Sequence, residues 1–165
     1  MRKWIATVLV AGLVALSSQP ATGAVRVTYD RVGDAPSSID VVRARYSYGD
    51  GQVRVLARIP NLGRSGKAAL SISRYDIFEA GYVVQVVKRL GQPARFGLYY
   101  FNHFDLEPRP CPGVAGQWNR QQSIRLSVST TCLEGHARSN IFVQFGIVKQ
   151  RAVDRAPALR NLARN

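Results

Sequence analysis

The chain has 165 residues, a net charge of +13 and two cysteines. That length suits a single domain with a real core. So basic a chain favours anionic partners such as nucleic acid, acidic envelope polymers or anionic lipid head groups. The plain alternative is an arginine-rich composition with no particular partner. After residue 24 only Lys67, Lys88 and Lys149 are lysines, and the other basic residues are arginines.

Residues 1–24 read as a secretory signal peptide. Arg2 and Lys3 precede an uncharged apolar run from Trp4 to Leu16. Ser17, Ser18, Gln19 and Pro20 break that run, and Ala21, Thr22, Gly23 and Ala24 offer a peptidase site after Ala24. A spanning helix needs roughly 20 apolar residues, more than this run supplies. Cleavage is therefore expected, with an uncleaved anchor as the alternative. No later apolar run is long enough to span a bilayer, so the exported chain is expected outside the cell with no membrane span. In that compartment an even cysteine count predicts a disulfide between Cys111 and Cys132.

Residues 25–150 are expected to form one all-β domain, followed by a basic tail over 151–165. Val25, Val27 and Tyr29 alternate with polar residues, as in a half-buried strand. Gly33-Asp34-Ala35-Pro36 marks a loop. From Val41 to Pro60 the pattern is a hairpin around Asp50-Gly51, a preferred pair for a two-residue type I′ turn. That loop pairs Tyr48 with Val53, Tyr46 with Val55, Ala44 with Ala57 and Val42 with Ile59. A slip of one residue would set Tyr46 against Arg54.

Further strands follow at Ala68–Ser73, Gly81–Leu90 and Arg95–Phe101. Gly81–Leu90 is apolar on both faces, as a central strand would be. Residues 102–117 are rich in proline and glycine and read as loop. Alternation resumes at Ile124–Val128 and Ile141–Ile147, and the tail suggests one helical turn around Pro157–Leu162. About eight short strands with turns between them predict an antiparallel β-sandwich, with a closed barrel as the alternative.

Three stretches, "DAPSSIDVVRARYSYGDGQVRVLARIPNL", "CPGV…QQSIRLSVSTTCL" and "VDRAPALRN", resemble a group of small exported proteins of high-GC Gram-positive bacteria. That group is similar to DOMON domains and family-nine carbohydrate-binding modules. The resemblance implies a sandwich of the kind that binds a sugar or haem, and it brings no established activity. Two departures count against those ligands. Trp118 is the sole tryptophan after residue 24, and the sole methionine is Met1, so sugar platforms are scarce and a methionine haem ligand is lacking.

His103, Asp105 and Glu107 would share a face at strand spacing and could hold a metal or perform acid–base work. Pro108 and Pro110 follow at once, so a solvated loop is the leading reading there, and no metal or cofactor is expected. His136, beside Gly135, reads as a surface residue in a turn. The hairpin register gathers Arg43, Arg45, Arg54 and Arg58 on its outer face, with Arg43 directly opposite Arg58. Like charges across a ladder are unfavourable, so a carboxylate on a neighbouring strand or an anionic ligand is expected to compensate. The expected function is that of an exported, non-enzymatic binding or structural module for an acidic envelope polymer or carbohydrate. Export argues against genomic nucleic acid. A hydrolase or metal-dependent enzyme using His103, Asp105 and Glu107 is the alternative.

Overall fold

The structure is a computed structural model that describes residues 24–74, 79–103, 105–119, 122–137 and 140–164. The proposed signal peptide, apart from Ala24, lies outside the described residues. No helix among the described residues is long and apolar enough to cross a membrane.

Among the described residues, twelve strands form two antiparallel sheets. They are β1 (Ala24–Tyr29), β2 (Arg43–Gly49), β3 (Gln52–Arg58), β4 (Gly66–Ser73), β5 (Ala80–Lys88), β6 (Arg95–Asn102), β7 (Asp105–Pro108), β8 (Val114–Asn119), β9 (Ser123–Ser129), β10 (Ile141–Lys149), β11 (Ala152–Arg155) and β12 (Leu159–Leu162). One sheet runs β1-β2-β3-β9-β8; the other runs β11-β10-β4-β5-β6-β7, with β12 also paired to β10. The β-sandwich expected from the strand spacing is the fold observed.

The core follows from strict alternation. The first sheet turns Ala44, Tyr46, Tyr48, Val53, Val55, Ala57, Ile124, Leu126 and Val128 inward. The second answers with Leu70, Ile72, Tyr82, Val84, Val86, Val143, Phe145 and Ile147. Burying such side chains stabilises a fold by about 25 cal/mol per Å² of apolar surface removed from water. The two layers meet closely at Gly116, where an added Cβ would lie 2.4 Å from the Phe96 ring. Tyr46 crosses between the layers, and its hydroxyl accepts the Phe145 N–H at 3.0 Å. Burial pushes the Tyr46 phenol up to about 12, so it stays neutral. A disulfide joins Cys111 to Cys132, tying the segment before β8 to a short 3-10 turn (Thr130–Leu133) after β9.

The hairpin has the expected register: Tyr48 faces Val53, Tyr46 faces Val55 and Ala44 faces Ala57. Asp50 and Gly51 have φ of 50° and 68°, as a type I′ turn requires. The regular ladder ends at Arg43 and Arg58, so Val42 does not pair with Ile59. The Val42 N–H reaches the Arg58 carbonyl instead, and the Ile59 N–H donates to Gln122.

Other expectations are corrected. Val25, Val27 and Tyr29 point outward, while Ala24 and Thr28 face the interior. β1 is an edge strand, and its inner row of Ala24, Arg26 and Thr28 holds no large apolar side chain. The stretch read as loop over 102–117 contains β7 and the start of β8. The residues after Arg151 form no helical turn. β11 and β12 add to β10 and bury Ala156 and Leu162 in the common core.

Replacing Tyr46 with Phe leaves the buried Phe145 amide without its acceptor. Equilibrium urea unfolding is expected to show a loss of about 1–3 kcal/mol. Replacing Cys111 and Cys132 together with Ala is expected to cost about 3 kcal/mol in the same assay, from the loop they close.

Candidate anion-binding face

The side chains that leave the core on β2 and β3 emerge on the outer face of the first sheet. The ladders arrange that face in three rows. One row runs Tyr29, Arg43, Arg58, Ser123 and Asn119. The next runs Val27, Arg45, Leu56, Arg125 and Gln117. The third runs Val25, Ser47, Arg54, Ser127 and Ala115. All four arginines expected on this face are there, and β9 adds a fifth, Arg125.

Arg125 was visible in the alternation of Ile124, Leu126 and Val128, which sends it away from the core. What the pattern could not supply was the pairing of β9 with β3, which brings together segments far apart in the chain. With that pairing, Arg125 lies directly opposite Leu56 and shares a row with Arg45.

No neighbouring strand supplies a carboxylate to this face. β1 and β9 contain no acidic residue. At its border Asp50, in the hairpin turn, has its carboxylate 4.0 Å from the Arg54 guanidinium. Both side chains are well exposed to solvent, at 42% and 61%, so that pair contributes little. Arg54 Nε also donates to Gln52 Oε1 at 2.9 Å, which holds the guanidinium over the sheet. Arg43, Arg45, Arg58 and Arg125 have no ion pair among the described residues.

Arg45, Arg54 and Arg125 border an open concavity of about 640 Å³, floored by Ser47, Leu56 and Ser127 and edged by Val25 and Asp50. Guanidinium forks match carboxylate, sulfate and phosphate oxygens bidentately. The hydroxyls of Ser47 and Ser127 can accept or donate beside them. Apolar Val25 and Val27 flank the arginines at the sheet edge and are partly exposed. The face thus combines fixed positive charge with a partly apolar rim.

The second sheet presents a different outer surface. There a concavity of about 270 Å³ is lined by Ala69, Ser71, Gln85, Gln144 and Gly146, with Lys67 and Arg155 at its margins. Trp118 is no exposed platform for a sugar ring: it is buried, and its Nε1 donates to the Gly63 carbonyl at 3.0 Å.

His103, Asp105 and Glu107 are exposed around the turn between β6 and β7. His103 sits in the turn with φ of 54°, and its Nδ1 is 2.9 Å from Asn102 Oδ1. Glu107 pairs with Arg109 at 3.0 Å. The three are not among the described side chains that converge closely enough to share a metal ion. His136, expected at the surface, packs edge-on against Tyr82 at 5.2 Å, and its Nδ1 is buried.

Compared with known proteins, the chain matches no family model, no curated protein and no solved structure.

Because Arg43 and Arg58 face each other in the open, replacing Arg43 with Gln is expected to leave the melting temperature unchanged or raise it slightly at low ionic strength. The gain should be at most about 1 kcal/mol and should fade in high salt. Thermal melts at two salt concentrations check both parts.

Proposed function

We propose that this protein is an exported, non-enzymatic binding module of the cell surface that holds an acidic envelope polymer on the arginine face of its first sheet. The observation that carries the reading is a row structure of five arginines with one carboxylate at its border. A core needs the inner half of each strand and places no demand for arginine on the outer half. An open sheet face with charges spaced along and across its strands suits an extended anionic chain better than a small neutral ligand.

The disulfide agrees with an oxidising compartment, and the apolar run at Trp4–Leu16 provides the route to it. The proposed likeness to DOMON and family-nine carbohydrate-binding modules agrees with a sandwich that binds on one sheet face. Buried Trp118 points away from sugar stacking and towards charge as the source of affinity.

Binding of the purified protein to a model polyanion such as polyglutamate or teichoic acid, measured at several salt concentrations, tests the proposal. Affinity should fall steeply with salt, since bound counterions are released when the polymer docks. Replacing Arg45, Arg54 and Arg125 with Gln should weaken binding and flatten the salt slope by about one unit for each polymer charge that is no longer neutralised. Unchanged binding in that triple variant would remove the arginine face as the site.

A further inference from the structure

We propose that the carboxylates of Asp34, Asp40 and Asp154 form a binding site for one calcium ion, which staples the loop before β2 to strand β11 of the opposite sheet. One carboxylate oxygen from each of the three lies within 4.8 Å of the others. Three protein carboxylates suit calcium, which takes about six to eight oxygen ligands, better than magnesium, which keeps several waters and is held through one or two carboxylates. The donor set is oxygen alone, which suits a hard cation and is a poor match for zinc or copper.

A second observation points to a ligand. Asp40 is 7% exposed, and its Oδ1 is buried with no hydrogen-bond partner. Its Oδ2 is used, accepting the Gly33 N–H at 2.9 Å. A buried carboxylate oxygen without a partner is costly unless a cation or donor meets it. Asp30 Oδ2, close by, is likewise buried and unpartnered. None of Asp30, Asp34, Asp40 and Asp154 has a Lys or Arg ion pair among the described residues. Lys149, at the end of β10, turns its Nζ to Ser38 Oγ at 3.3 Å. Burial raises the Asp30 carboxyl, its bond from the Arg31 amide partly opposes this, and the charges of Asp154, Asp34 and Asp40 add to the rise. Four carboxylates thus crowd one corner, and none of them has a basic partner in an ion pair among the described residues.

The framework of the site is already ordered by backbone donors. Asp154 accepts the Val41 N–H through Oδ2 at 2.6 Å and the Arg155 N–H through Oδ1 at 2.7 Å. The loop and β11 are therefore held at the right separation, and a cation would lock that junction. Asp34 is exposed and closes the site from the solvent side.

The test is calcium titration of the EDTA-treated, dialysed protein by calorimetry, with thermal melts in parallel and magnesium chloride as the control. Calcium should saturate at one ion per chain and raise the melting temperature by about 5–10 °C at a hundredfold excess over its Kd. Magnesium at the same concentration should do much less. Asp40→Asn keeps an oxygen for the Gly33 N–H and should weaken calcium binding at least tenfold while melting no lower than the parent in EDTA. Should that variant fail to fold, Asp34→Ala, at an exposed position, decides by the same tenfold criterion. No heat of binding and no melting shift with calcium would overturn the proposal. So would an equal shift with magnesium, or full calcium binding by Asp34→Ala.

Discussion

The two-residue turn at Asp50-Gly51 is the constraint on which the rest of the first sheet depends. Left-handed φ at both positions closes the hairpin with one register and no other. Because side chains alternate, that register decides at once which residues enter the core and which leave it. Tyr46 and Val55 go in; Arg45 and Arg54 come out. β9 and β1 then add to the two edges of a hairpin whose faces are already assigned, and their own alternation extends both the core and the arginine rows.

The same constraint explains why repulsion between arginines is tolerated. The inner face of the hairpin carries Tyr46 and Tyr48, wholly buried, with the Tyr46 hydroxyl satisfied by the other sheet. Shifting the register to separate Arg43 from Arg58 would expose those rings and bury arginines, at a cost far above the roughly 1 kcal/mol of a like-charge pair. Screening by salt lowers the penalty further. An anionic polymer laid across the rows would turn the remaining repulsion into attraction, which is the basis of the proposed binding role.

What could be read from the sequence was what short range determines. The hairpin was legible because Asp50-Gly51 and the flanking alternation agree, and its outer arginines followed without further information. The central position of β5 was legible from valines on both of its faces. β1 was not, because its valines and tyrosine follow the pattern of a buried face yet lie on the outside of an edge strand. The strands after Arg151 were missed because such four-residue segments become strands through pairing with β10. The acidic corner was missed for the same reason. Asp154 meets the loop at Val41 across a sequence separation of 113, and no local pattern links them.

The central claim is that polyanions meet this protein on the outer face of the first sheet. Backbone amide chemical-shift mapping of the labelled protein, with and without a short polyphosphate or polyglutamate, tests it most directly. The account predicts perturbations concentrated on β2, β3 and β9, greatest around Arg45, Arg54 and Arg125, with the amides of β4 and β5 unmoved. Perturbations centred instead on Gln85 and Gln144 of the second sheet, or spread evenly over every exposed arginine, would contradict it.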